Sequence, residues 1–210
     1  MAQAVQARKV TLGLLETEFG LQVATNPQFF TEWIAPETLV TDPELQALAR
    51  VKSNFEHLIK EPPMLEEAVK MVVLSPLLDL AGFYQPPFRI QPEKAIEIEA
   101  IDPEEGVVIR GEIDVLVVSG QLWVLAIESK MSAFSLNVAL PQALSYMLAN
   151  PTQPCYGLIL NGSDFAFVKL NCEEVPQYAT SRVFSLFAPG NELIEILKIL
   201  KHLARLVVGR

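Results

Sequence analysis

Glu128 and Lys130 close an otherwise apolar run, Leu122-Trp-Val-Leu-Ala-Ile127, with one residue between them. Side chains alternate across a strand, so the two point to the same face. Ionisable groups at the end of a hydrophobic strand are costly to bury unless they pair or bind something. Asp114 stands the same way on the preceding apolar run, between Ile113 and Val115. Carboxylates beside a lysine suit phosphodiester cleavage, which needs charge neutralised on the phosphate and a water made nucleophilic. Hard carboxylate oxygens suit Mg²⁺, with Mn²⁺ as a substitute, and Mg²⁺ keeps several waters for these tasks. A nearby lysine can orient or help deprotonate the attacking water and stabilise developing charge. The other reading of the same spacing is a strand end carrying a solvated ion pair, which is energetically minor.

For that chemistry the two runs must form a hairpin that puts Asp114 on the face of Glu128. The pairing must then have an even sum of residue numbers. A three-residue connection (Ser119 to Gln121) or a bulge supplies this, whereas a clean two-residue turn does not. The hairpin itself is signalled by Val107–Val118, a Ser119-Gly120 turn and Leu122–Ile127, with β-branched and aromatic residues on both arms. Upstream, Pro86–Ile90 and Ile96–Ile101 alternate apolar and polar residues as a half-buried strand does.

Helices surround these strands. Residues 1–60 read as helical with breaks. Asp42-Pro-Glu predicts an N-cap at Asp42, and Leu45, Leu48, Val51, Phe55 and Leu58 form one apolar face. A second helix is expected from about Met64 to Leu80, kinked at Pro76 and ending at Ala81-Gly82. A third covers 134–149, with Leu136, Leu140, Leu144 and Met147 on one stripe. Strands Cys155–Leu160 and Phe165–Leu170 flank an Asn161-Gly-Ser-Asp164 turn, and Asn191 caps a last helix, Leu193 to Val208. The order predicts an α/β or α+β fold, a mixed central sheet flanked by helices, in one domain.

Composition removes competing chemistries. The chain has 210 residues, half of them hydrophobic, which is enough for a core without staples. Its only histidines, His57 and His202, lie in helix-like segments, and its only cysteines, Cys155 and Cys172, read as buried small hydrophobes. Histidine triads, zinc hydrolases and disulfide frameworks are thereby excluded. No Gly-x-Ser-x-Gly, Walker or Gly-x-Gly-x-x-Gly motif is present. No run approaches the roughly 20 apolar residues that span a bilayer, and the N-terminus lacks a signal-peptide pattern, so a cytoplasmic chain without membrane partners is expected. The net charge of −9 weighs against nucleic-acid binding unless a local groove is basic.

These motifs together resemble the PD-(D/E)XK nuclease core, in particular the N-terminal nuclease module of type I restriction R subunits and its small cyanobacterial relatives. Gly111-Glu-Ile-Asp114 resembles the motif of the first metal-binding Asp, Glu128-Ser-Lys130 the second motif, and Gln142-Ala-Leu-Ser-Tyr146 the Gln-x-x-x-Tyr motif. Glu66 through Phe83 resembles the helix that brings the family's first acidic residue, and the strands around Asn161-Gly162 its closing hairpin. The likeness covers about residues 64–170, and Ile113 replaces the Pro of the family's name. It implies a restriction-endonuclease-like core with extra N- and C-terminal helices. It implies Asp114 and Glu128 as metal ligands, Lys130 acting on water, and Glu66, preferred over Glu67, tuning the site. It implies Gln142 and Tyr146 as support for the site or as nucleic-acid contacts.

The function expected is a Mg²⁺-dependent DNA endonuclease, the alternative a catalytically silent relative serving as a binding or assembly module. RNA stands open as a substrate. Arg89 and Arg110 are candidate phosphate contacts, and Tyr84 and Phe134 candidate stacking surfaces against a simpler role in the core. The motor domains and recognition partner of an R subunit lie outside this sequence, so specificity is expected from the chain's own surface or from a protein partner. The apolar last helix, or the N-terminal helices, are expected to help form a homodimer.

Overall fold

The structure, a computed structural model, describes residues 3–34, 36–61, 64–99, 107–119, 122–131, 135–150 and 152–208. In chain order it runs β1 (Gln3–Gln6), α1 (Leu12–Phe19), β2 (Gln22–Val23), α2 (Asp42–Leu58) and α3 (Glu66–Val69). A π turn (Lys70–Leu74) leads directly into α4 (Ser75–Leu80), followed by β3 (Phe88–Glu99), β4 (Val107–Ser119), β5 (Leu122–Ser129) and α5 (Leu136–Leu148). The chain then forms β6 (Cys155–Leu160), β7 (Asp164–Asn171), β8 (Gln177–Thr180), β9 (Phe184–Ser185) and α6 (Leu193–Val208).

The strands form one mixed sheet in the order β1-β4-β5-β6-β7-β8-β2, with β3 also on β4 and β9 on β7. β4 pairs antiparallel with β3 and β5, while β5 and β6 are parallel and joined through α5. Helices cover both faces. One core lies under α2, α4 and α6 and includes Phe55, Leu77, Ile127 and Leu200; the other lies under α1 and α5 and includes Leu15, Ile113, Leu144 and Ile159.

The hairpin pairs as the site requires. Ser119 faces Leu122, a register of odd sum, but a bulge at Val117/Val118 skips Val124, and from Val117↔Leu125 to Val115↔Ile127 the sum is even. β4 then rolls over. Val107, Ile109 and Ile113 pack toward α5, whereas Val115 and Val117 pack toward the opposite core, although all five are odd-numbered. The roll falls at Asp114. Its neighbour across β3 is Glu93, between the pairs Pro92↔Val115 and Lys94↔Ile113, and Glu93 has φ 51°, uncommon for a non-glycine residue.

Since β3 runs along one edge of β4, β1 at Val107–Arg110 and β5 at Val115–Ser119 must share the other. Among the described residues no strand pairs with Gly111–Asp114 on that edge. Tyr146 of α5 and Ala7 close in there instead. A Cβ on Gly111 would lie 2.5 Å from the Ala7 Cβ and 3.0 Å from the Tyr146 ring.

Several expectations are corrected. The segment before residue 60 contains two strands as well as helices, and two further strands follow β7. The N-cap of α2 is Thr41, not Asp42, and the Glu44 carboxylate accepts the Thr41 N–H at 2.7 Å. Leu45 and Leu58 of its apolar stripe are exposed. The helix widens to a π turn just before Pro76, where the Ser75 N–H reaches back to the Lys70 carbonyl. Leu193, Ile196, Leu197, Ile199, Leu200 and Leu203 of α6 are all buried in the chain's own core, which removes the reason for expecting a dimer through this helix.

Replacing Gly111 with Ala is expected to lower unfolding free energy by about 1–3 kcal/mol, the cost of overpacking. Gly13→Ala on α1, where an added Cβ meets nothing, should instead raise it by up to about 1 kcal/mol through helix propensity. Urea denaturation of both variants checks the contrast.

Candidate active site

Past Val115↔Ile127 the paired strands part, and side chains take over from the ladder. Asp114 Oδ2 accepts the backbone N–H of Ser129 at 2.7 Å. Its Oδ1 receives Lys70 Nζ at 3.1 Å, and the same ammonium lies 2.9 Å from Glu66 Oε1. Glu66 and Lys70 sit one helical turn apart at the start of the α3–π–α4 helix, so both reach the strand from one face.

Glu128 is 1% exposed. It shares the α5-facing side of β5 with Ala126, and Lys130 follows by alternation. Lys130 Nζ donates to Glu128 Oε1, while Oε2 has no partner among the described residues. The Lys130 backbone is fixed by its N–H donating to the Leu160 carbonyl at 2.8 Å, one residue past the last β5–β6 pair.

Burial pushes the Glu128 carboxyl up to about 8, and the adjacent Asp114 charge adds to the rise; Lys130 opposes it, and Glu66 contributes a smaller increase. Burial alone would lower the Lys70 pKa, but the Glu66 and Asp114 carboxylates outweigh it and raise it. Two neighbouring carboxylates, one with a buried oxygen that has no partner among the described residues, suit a hard divalent cation, which would meet that oxygen and cancel the repulsion. Among the described residues no three His, Cys, Asp or Glu side chains converge as a metal cage. Two carboxylates are the number of protein ligands that would suit Mg²⁺, whose remaining positions water and phosphate would fill.

The structure brings together Asp114, Glu128, Lys130 and Glu66; Glu67 points to solvent. Gln142 Nε2 donates to the Tyr146 hydroxyl at 2.7 Å, and that hydroxyl is also tied to the Glu112 backbone beside the site. Burial and the Glu128 charge push the Tyr146 pKa up. Tyr146 is 1% exposed, its ring buried against β4 with one edge at the groove beside the site. Arg110 is exposed and held by Glu97 of β3 through two hydrogen bonds, at 2.8 and 3.2 Å. Arg89 is exposed opposite Val118, toward the turn end of β4 and away from Asp114. Tyr84 is partly exposed with its hydroxyl 2.8 Å from Ser75 Oγ, and Phe134 lies outside the described residues. A groove of about 690 Å³ runs beside the site between Gln142, Glu112, Arg110 and Arg8.

Sequence reasoning missed Lys70 and the Ser129 amide. The first carried a signal, the i, i+4 spacing of Glu66 and Lys70. The second carried none, since a backbone group has no identity in sequence.

No family model matches the chain, and no curated protein matches it. Among solved structures it is similar to a fragment described as an HsdR subunit of a type I restriction enzyme from Vibrio vulnificus. The identity is 13% and the TM-score 0.42, over 65% of this chain and 26% of that one. This chain thus spans about a quarter of the length of the protein it matches.

The raised Glu128 carboxyl makes a pH prediction. Between about 4.5 and about 8 the unfolded chain loses this proton while the folded chain keeps it, so the group destabilises the fold increasingly over that window. Without metal, Glu128→Gln should melt several degrees above the wild type at pH 8 and level with it near pH 4.5. Added Mn²⁺ should raise the wild-type Tm and leave the variant's unchanged. Calorimetric melts across pH test both.

Proposed function

We propose that the chain is a Mg²⁺-dependent endonuclease with a restriction-endonuclease-like core, hydrolysing phosphodiester bonds in DNA. The observation that carries this reading is the buried Glu128, one oxygen without a partner among the described residues, beside Asp114 and under Lys130. The resemblance of Gly111–Asp114, Glu128–Lys130 and Gln142–Tyr146 to the nuclease motifs supports it.

Asp114 and Glu128 would hold the ion. When bound, it supplies charge neutralisation at the phosphate and a more acidic water. The protein's own part is positional. The Ser129 amide fixes one oxygen of Asp114, and the Leu160 carbonyl fixes the backbone of Lys130. Lys130 Nζ would orient the attacking water and stabilise charge on the phosphate oxygens; as the water oxygen bonds to phosphorus its proton passes to solvent, the P–O bond to the leaving oxygen breaks, and that oxygen takes a proton from solvent. Gln142 and Tyr146 hold Glu112 and the unpaired edge of β4, and with it Asp114. The groove with Arg8 and Arg110 gives a backbone path beside the site.

A second reading, a silent fold acting as a binding module with a protein partner, is favoured by charge. The net charge is −9, and Lys70, Lys130 and Arg110 are all engaged by carboxylates.

Plasmid nicking with Mg²⁺ or Mn²⁺ separates the two. The wild type should nick; Asp114→Asn and Lys130→Ala should lose at least about a hundredfold in rate, a typical share for one such group. Full activity in Lys130→Ala would overturn the assignment. No cleavage of DNA or RNA by the wild type, with tight metal-independent binding of a protein, would establish the second reading.

A further inference from the structure

We infer that Lys70 is a built-in second cation: its ammonium bridges Glu66 and Asp114 where a second divalent ion would otherwise bind, so the site takes a single metal ion. The inference rests on the metal-dependent reading above and concerns how many ions the site accepts. Lys70 Nζ lies 2.9 Å from Glu66 Oε1 and 3.1 Å from Asp114 Oδ1. A two-metal phosphodiesterase site places ions roughly 3.5–4 Å apart around a shared carboxylate. Here Asp114 Oδ2 accepts the Ser129 N–H and Oδ1 accepts from Lys70, so an ion bridging Glu66 and Asp114 would have to displace the ammonium, while the remaining lone pairs of Asp114 serve one ion shared with Glu128. The site carboxylate oxygen left buried without a partner among the described residues is Glu128 Oε2, not an oxygen of Glu66 or Asp114.

The ammonium is also held in place. Lys70 begins the π turn, and its neighbours Val69, Val73 and Leu74 are fully buried against the sheet, which aims the side chain at the point where β4 rolls over. An ammonium carries three donors and no acceptor, so it can bind two carboxylates at once as a divalent ion does. Formal charges agree. Glu66, Asp114 and Glu128 against Lys70 and Lys130 leave one negative charge, which a single divalent ion converts to one positive charge for the phosphate.

Mn²⁺ titration followed by calorimetry and electron paramagnetic resonance tests this on the full chain. Wild type and Lys70→Arg should bind one ion. Lys70→Met should bind two and show the spectrum of an exchange-coupled manganese pair, and adding Glu66→Gln to it should return the count to one. Two ions in the wild type would overturn the inference without need of any variant. So would a single ion in a Lys70→Met protein whose circular dichroism shows it folded. No ion bound by the wild type would instead remove the metal-dependent function itself, a different result from either.

Discussion

The structure depends on keeping Glu128 out of water next to Asp114. Desolvating a carboxylate costs several kcal/mol unless partners replace the lost water, and a second carboxylate nearby adds to that cost. Apolar residues of similar volume would give a more stable strand end. The surroundings show how the charges are tolerated: Lys130 sits on one oxygen of Glu128, while Asp114 is held by a backbone amide on one side and a lysine on the other. Placing unfavourable charge inside otherwise well-packed strands is how functional sites depart from the rules that govern the rest of a fold.

The fold supplies this arrangement by leaving something out. β3 runs along one edge of β4, and among the described residues no strand pairs with Gly111–Asp114 on the other, because β1 and β5 occupy different lengths of it. A continuous sheet would bury that edge in a ladder. The interruption, with the roll of β3 and β4 at Glu93 and Asp114, lets a side chain of the sheet meet a side chain of the α3–π–α4 helix. Tyr146 and the lack of a side chain at Gly111 keep the opening narrow.

Much of this was legible in sequence, and the reasons differ by residue. Alternation placed Glu128 and Lys130 together, and the parity argument required a bulge or longer turn, which the skipped Val124 supplies. The helices Leu136–Leu148 and Leu193–Val208 followed from periodicity and, for the second, from Asn191 as its cap, and the apolar residues of α6 pack into the chain's own core. The short strands β1, β2, β8 and β9 were not legible, since two to four residues carry too little pattern and their pairing is set by distant partners. The roll at Asp114 was hidden because it reverses which residues face which core while leaving their composition unchanged. Lys70 was visible only as a helix charge until the structure showed what stood opposite.

The Ser129 amide gives the site an internal witness. Its proton is donated to a side-chain carboxylate rather than to a neighbouring strand, so its nuclear shielding responds directly to whatever shares the electrons of Asp114. A single backbone resonance, assigned once, would register cation, proton or substrate arriving at that carboxylate, without a label and without turnover.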